Sequence, residues 1–145
     1  MEKKLLVGLI DEIFIPLGFK KKGFSWSSKS PDIIKIIDLE RSNQSNLFNI
    51  SYGFVIRDLE LDSPFHVGNQ LRGNDRNEQL IINELLNLDS SVKTPERLEK
   101  LKKLLNQQVV KQFNSINSVD NLYNDLNNRT HLNNIPQIVK EYFNF

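Results

Sequence analysis

The stretch that decides the fold reads FNISYGFVI and covers residues 48–56. Its large apolar residues fall on every second position, at Phe48, Ile50, Tyr52, Phe54 and Ile56. Successive side chains of a strand point to opposite faces, so this pattern gives one apolar face and one mostly polar face. Aromatic and β-branched residues suit a half-buried pleated surface. The stretch therefore predicts the central strand of an antiparallel sheet with one covered face.

Further strands are predicted on both sides of this one. An aromatic strand covers residues 23–29, and an isoleucine-rich strand covers residues 33–40. Residues 57–62 alternate but are acidic, which fits either a frayed strand end or a loop. A short fourth strand is predicted after Pro64, with His66 pointing outward from it. The sequence thus predicts three to four strands.

An amphipathic helix is predicted at the N-terminus, over residues 2–15, because apolar residues recur there at helical spacing. Pro16 should end or kink this helix, since proline lacks a backbone donor and clashes with the preceding turn. Gly18 then suits a left-handed C-terminal cap.

After about residue 75 the apolar period is helical again. Four helix starts are indicated, at Asp75, Thr94, Ser118 and Asn134–Pro136. The first of these helices has an apolar stripe, formed by Ile81, Ile82, Leu85 and Leu86. The second has the strongest helical pattern in the chain and runs to Phe113.

Together these elements predict the α+β class. The N-terminal helix precedes an antiparallel sheet over about residues 23–72, and the C-terminal helices, over about residues 75–145, pack on one sheet face. A chain of 145 residues fits one domain, and no linker divides it. We therefore expect a single domain over residues 1–145.

Composition limits the classes of function that the chain can have. The net charge is +1, whereas a dedicated duplex-binding protein usually carries a clear basic excess. The chain has no cysteine, which excludes disulfides, thiolate nucleophiles and cysteine-ligated metals.

The sequence also bears on location and source. Asp11 and Glu12 interrupt the N-terminal apolar run, and no apolar run approaches ~18 residues. We expect no membrane segment and a cytoplasmic location. Frequent asparagine and isoleucine suggest a bacterial source.

Three short motifs carry a family resemblance. The turn GFKKKG occupies residues 18–23, the triplet ERS occupies residues 40–42, and the central strand presents Phe48, Ile50, Gly53 and Phe54. Over about residues 3–73 the chain therefore resembles the bacterial family called domain of unknown function 4304. Glu40 and Ser51 depart from the amide residues of that family. The resemblance implies an α+β domain and no established chemistry.

Catalytic and metal sites have little support in the sequence. The two histidines, His66 and His131, lie outside any motif of nucleophilic catalysis or metal binding. Asp38 and Glu40 on one strand suggest the carboxylates of a metal-dependent hydrolase. The lysine that such a site needs two residues after the second carboxylate is replaced by Ser42. We therefore predict no catalytic residue, no metal ligand and no cofactor.

The basic turn offers a binding hypothesis. Lys20, Lys21 and Lys22 are flanked by Phe19, Phe24 and Trp26, a combination with which single-strand binders pair phosphate contacts and stacking rings. The simpler interpretation is that the rings belong to the core and the lysines keep the turn soluble.

The leading functional hypothesis is a non-enzymatic bacterial domain that binds another protein, in the manner of an immunity protein or antitoxin. The first alternative is a nucleic-acid-associated module that uses residues 20–26, and the second is the hydrolase with Asp38 and Glu40. The candidate binding surface consists of Lys20, Lys21, Lys22, Trp26, Arg41, His66 and Arg72.

Overall fold

A computed structural model describes residues 1–43 and 45–145. In those residues, five antiparallel strands form one sheet, and their order in the sheet is their order in the chain. The strands are β1 (Lys20–Lys22), β2 (Ser25–Lys29), β3 (Ile33–Arg41), β4 (Phe48–Ile56) and β5 (Val67–Gln70). The sheet therefore has one strand more than the upper number of the three to four that the sequence predicts.

Strand β4 has the predicted orientation. Its alternating apolar residues, from Phe48 to Ile56, are each at most 6% exposed. Tyr52 pairs with Ile37 of β3 on one side and with Asn69 of β5 on the other. The alternation is informative because only one face of the strand meets the core.

The additional strand is β1, which lies in a segment for which the sequence predicts a turn. Lys20 to Lys22 pair with β2, and Gly23 and Phe24 form the two-residue loop of this hairpin. Gly23 has a φ of 62°, a conformation that tight hairpin turns require and glycine adopts without strain. Three consecutive lysines show no alternation, which hides the strand. Lysine is also typical of exposed edge strands, where it discourages pairing with other chains.

The N-terminal helix, α1 (Lys3–Phe14), ends as predicted. A short 3₁₀ turn over Ile15–Leu17 contains Pro16, and Gly18 closes it with a φ of 92°. The indole Nε1 of Trp26 donates to Asp11 Oδ1 at 2.8 Å, which joins this helix to β2.

The C-terminal helices are α2 (Arg76–Leu86), α3 (Thr94–Leu104), α4 (Lys111–Ser115), α5 (Val119–Asn127) and α6 (Gln137–Tyr142). A π-helical turn over Leu105–Val110 joins α3 to α4, so residues 94–115 form one long helix. Asp75 and Ser118 cap their helices as predicted, since each accepts from the third following backbone N–H. Thr94 begins α3, but as its first helical residue after Lys93 and without a capping hydrogen bond. Among the residues described, no helix is both long and apolar enough to cross a bilayer.

Helices from both ends of the chain cover the same sheet face. The ring of Phe113 in α4 lies 5.4–6.4 Å from the rings of Phe14, Phe19, Tyr52 and Phe54. This confirms the predicted packing of helices on one face of the sheet. We call the sheet face turned away from Phe113 the outer face. Ile34 and Ile36 lie there and are only partly buried.

One residue of the predicted α2 stripe is misplaced. Ile82, Leu85 and Leu86 are at most 3% exposed, but Ile81 is 54% exposed. The helix contacts the core through a narrower face than four apolar residues suggest, so the prediction for Ile81 is wrong.

A buried arginine shapes the connection between α2 and α3. Arg97 is 0% exposed, and its guanidinium donates at 2.6–3.2 Å to the carbonyl oxygens of Glu84, Leu85, Asn87, Ser90 and Val92 and to the Ser90 hydroxyl. Carbonyls at a helix C-terminus carry partial negative charge, so they suit a cation. Arg97 therefore ties the end of α2 to the start of α3.

Candidate functional site

The structure separates the residues of the predicted binding surface. Lys20 and Lys22 project from β1, at one edge of the sheet, onto the outer face. Arg72 follows β5, at the opposite edge, and Arg41 ends β3 between them. The two edges are four strand spacings apart, which is roughly 19 Å. These side chains therefore do not form one compact site.

Two members of that surface are buried, which corrects their predicted exposure. Trp26 is 0% exposed and His66 is 1% exposed. His66 Nδ1 accepts from the Ile56 backbone N–H at 2.9 Å, and Nε2 lies 3.1 Å from the Leu61 carbonyl oxygen. The acidic segment after β4 is a loop that folds back over His66, so the prediction that this histidine points outward is wrong.

Most of the aromatic rings in the basic segment, residues 19–26, are not available to stack on nucleic-acid bases. Phe19 is 5% exposed and belongs to the core with Trp26, whereas Phe24 is 48% exposed. Lys21 forms an ion pair with Asp11 at 3.2 Å. Lys20 and Lys22 are exposed. The interpretation of these rings as core residues therefore holds for two of the three.

Asp38 and Glu40 project together from β3 onto the outer face, opposite Ser51 and Asn49 of β4. Over residues 1–43 and 45–145, no group of three or more histidine, cysteine, aspartate or glutamate side chains is placed to hold a metal ion. The hydrolase alternative stays a prediction.

A different group of polar side chains converges beside β5. Three adjoining depressions, with volumes of about 320, 520 and 330 Å³, share Asn69 and Arg72 in their walls. Strand β4, the π-helical turn, α4 and the end of α5 supply further wall residues. We call this region the Arg72 cleft; its main polar residues are Tyr52, Asn69, Arg72, Gln108, Gln112, Asp125 and Arg129.

The π-helical turn holds the backbone of Arg72. Gln108 accepts from the Arg72 N–H at 3.3 Å through Oε1, and its Nε2 donates to the Arg72 carbonyl oxygen at 2.7 Å. One side chain thus satisfies both main-chain groups of Arg72. π-Helical turns inside helices are frequent at functional sites.

Most other cleft residues are held by neighbours within the protein. Asp125 Oδ2 accepts from Arg129 Nε at 3.2 Å and from Nη2 at 3.0 Å. Asn69 Nδ2 donates to Gln112 Oε1 at 3.4 Å. The Arg72 guanidinium differs, because no hydrogen bond or ion pair joins it to any residue in the described ranges 1–43 and 45–145.

The cleft presents hydrogen-bond donors and a net positive charge. Burial raises the pKa of the Tyr52 phenol, Asp125 adds to this effect, and Arg72 and Arg129 oppose it. Tyr52 is therefore a neutral hydroxyl that can donate. The charged side chains of the walls are three cations, Arg72, Lys111 and Arg129, and two anions, Glu78 and Asp125. One net positive charge and several N–H donors suit the binding of an anion.

Of the main cleft residues, sequence reasoning identified Arg72 alone as part of a binding surface. Asn69, Gln108, Gln112 and Arg129 come from separate elements that only tertiary packing brings together. The sequence offers a weak indication for two of them, because Gln108 and Gln112 lie four positions apart in an amphipathic helix. Solvent-exposed helices share that pattern, so it does not indicate a site.

Comparison with known proteins identifies the family of the chain. A family model described as domain of unknown function (DUF4304) matches residues 10–115. This confirms the resemblance found in the sequence and extends it from the sheet through the long helix. The matched range includes Tyr52, Asn69, Arg72 and Gln108, and it ends before Arg129. No curated protein and no solved structure matches the chain.

Proposed function

The chain belongs to the DUF4304 family, a domain of unknown function, and we propose that it is a binding module that engages a protein partner through the Arg72 cleft. The observation that carries the proposal is the contrast between Arg72 and its surroundings. Arg129, Asn69 and Gln108 are held by hydrogen bonds within the protein. The guanidinium of Arg72 is exposed and not engaged in this way by any described residue.

Residues beside the cleft favour a protein over a small ligand. Arginine, here Arg72, is one of the residue types that dominate the binding energy of protein interfaces. Ile81 lies one helical turn along α2 from Glu78 of the cleft wall and is 54% exposed. Leu80 beside it is 57% exposed. Exposed apolar side chains on a helix that contributes to the cleft wall, together with an exposed arginine, are consistent with a protein interface.

The specific form of this function that we favour is that of a bacterial immunity protein or antitoxin in the cytoplasm. Such a protein acts through a stable scaffold and a complementary surface, and needs no catalytic group. This form predicts that the partner is the product of a neighbouring gene and that the partner loses its toxic activity in the complex.

Affinity co-purification from the native host tests the proposal. The tagged chain, an Arg72→Glu variant and a Lys93→Ala variant are compared in washes at low and moderate salt, and the retained proteins are identified by mass spectrometry. Lys93 is exposed and about 21 Å along the long helix from Gln107 of the cleft, so Lys93→Ala is the control for loss of a surface cation. We expect wild type and Lys93→Ala to retain one protein near equimolar ratio, and Arg72→Glu to lose it. Equal capture by Arg72→Glu, or no protein retained by the wild type, would contradict the proposal.

The same washes test the nucleic-acid alternative, which rests on the shared orientation of Lys20 and Lys22. These lysines lie two residues apart on β1 and project to the same face. Nucleic acid bound there would be lost as salt rises, because binding releases counterions from phosphates. It would also be lost in a Lys20→Ala/Lys22→Ala variant. Retention of nucleic acid by that variant would exclude this surface.

A further inference from the structure

We propose that the Arg72 cleft recognises a carboxylate, so that its partner presents an aspartate or glutamate side chain or a chain-terminal carboxylate to Arg72. This inference rests on the proposed function and names the chemical group that the cleft binds. A guanidinium offers N–H donors in a planar fork that matches the two oxygens of a carboxylate. Arg72 has this fork available, with no described residue bonded to it.

Charge distinguishes a carboxylate from a phosphate. The cleft walls carry one net positive charge, because Glu78 and Asp125 offset two of the three cations. Arg129 is already bonded to Asp125 at 3.0 Å, so it is not available as a second fork. A phosphate group carries about −1.5 to −2 charge at neutral pH. The single charge of a carboxylate therefore matches the cleft, and a phosphate would leave negative charge without a partner.

Neutral donors complete the site. Asn69 and Tyr52 line the same depression as Arg72. An amide NH₂ has two N–H donors, and only one is needed for the bond from Asn69 to Gln112. The protonated phenol of Tyr52 supplies an O–H donor. A carboxylate accepts about four hydrogen bonds, so it can use these donors together with the guanidinium.

Gln108 acts as a positioning residue for Arg72. It forms hydrogen bonds with both main-chain groups of Arg72, so the backbone that carries the Arg72 side chain is held in place. Pre-organisation of this kind reduces the entropy that is lost when a ligand orders a mobile side chain. Loss of Gln108 should weaken binding of the carboxylate while Arg72 keeps its selectivity against uncharged analogues.

Titration by NMR of the full chain tests the inference. The probes are N-acetylglutamate α-amide for a side-chain carboxylate, N-acetylalanine for a chain terminus, N-acetylglutamine α-amide as the uncharged control, and inorganic phosphate. We expect backbone amide shifts centred on Asn69, Arg72, Gln108 and Gln112 with one or both carboxylates. The stronger of the two carboxylate probes identifies the source of the group. Arg72→Lys should weaken this binding roughly tenfold to a hundredfold, because the fork is lost while the charge remains.

Each contrary result has a distinct meaning. Tighter binding of phosphate, equal binding of the uncharged amide, no shift with either carboxylate, or unchanged binding by Arg72→Ala would each overturn the carboxylate inference. None of these results affects the co-purification with Arg72→Glu, which tests the proposed function separately. If carboxylates bind in the cleft but Arg72→Glu still retains the protein partner, the proposed function fails and the carboxylate site stands.

Discussion

Gly53 and Gly68 face each other across β4 and β5, and the ring of Phe65 lies over both on the outer face of the sheet. A Cβ added to Gly53 would collide with the Val67 carbonyl oxygen and lie 2.9 Å from the Gly68 Cα. A Cβ on Gly68 would lie 3.1 Å from the Cβ of Phe65. An aromatic ring that covers strand glycines compensates for the side chains they lack. The two glycines therefore make room for Phe65 at the β5 edge.

Gly53→Ala should destabilise the protein by about 2 kcal/mol or more, because the contacts that it creates involve backbone atoms that cannot move aside easily. Urea unfolding measures this change. Gly8→Ala is the matched control, since nothing lies within 4 Å of its added Cβ and the residue is inside α1. That control should gain about 0.5–1 kcal/mol. A free energy of unfolding for Gly53→Ala within error of the wild type would refute the crowding argument.

Arg97→Met should cost about 3 kcal/mol, because it leaves the carbonyls of the α2–α3 connection without their donor. Denaturant unfolding gives the value. Arg76→Met, at an exposed position in the first turn of α2, should stay within about 0.5 kcal/mol of the wild type. Equal effects of the two substitutions would show that the buried guanidinium adds little to stability.

Asp11→Ala should cost about 1–3 kcal/mol, because it leaves the buried indole N–H of Trp26 without an acceptor. Asp11→Asn keeps a side-chain oxygen in the same place and should lose less. Both variants give up the ion pair with Lys21, so comparing them isolates the indole bond. Unfolding followed by the fluorescence of the single tryptophan reports directly on this contact. The prediction fails if the two variants are equally stable.

Tyr52 should make stability decline at alkaline pH. Burial raises the pKa of its phenol in the folded state above the unfolded value of about 10. The unfolded state therefore loses this proton first, and the contribution of Tyr52 is complete below about pH 10. It is lost as pH rises through the folded pKa. The difference in unfolding free energy between wild type and Tyr52→Phe should thus shrink above about pH 10.

Spectrophotometric titration of the phenols provides an independent check of this pH effect. Tyr142→Phe changes a tyrosine residue that is 38% exposed and is the control for the loss of a tyrosine hydroxyl as such. A free-energy difference that stays constant with pH for Tyr52→Phe would contradict the expected linkage.

The parts of the fold that depend on local physics could be predicted from the sequence. The alternation from Phe48 to Ile56 identified both the central strand and its covered face, because that strand meets the core on one side only. Pro16 and Gly18 located the end of α1, and Asp75 located the start of α2, since proline geometry, positive φ and capping act within a few residues.

The features that the sequence missed depend on tertiary packing. Lys20–Lys22 form a strand because β2 offers a partner, although their side chains give no signal. Ile81 is exposed because the core needs only part of α2. His66 is buried because the Leu61 carbonyl folds over it. The Arg72 cleft combines a strand end, a π-helical turn and α5, and no single stretch of sequence records that combination.

The order of the strands also has a kinetic consequence. Each strand pairs with its neighbour in the chain, so the sheet can form by closing short loops, which is typical of fast folding. Contacts of Phe113 with Phe14 and Phe54 instead join distant parts of the chain. We therefore expect the five-stranded sheet to form before the long helix, residues 94–115, packs against it. Phe113→Leu should then mainly raise the unfolding rate, whereas Ile50→Val in β4 should mainly lower the folding rate. Stopped-flow kinetics of the two variants measures both rates. If the helix docked first, Phe113→Leu would instead lower the folding rate and Ile50→Val would raise the unfolding rate.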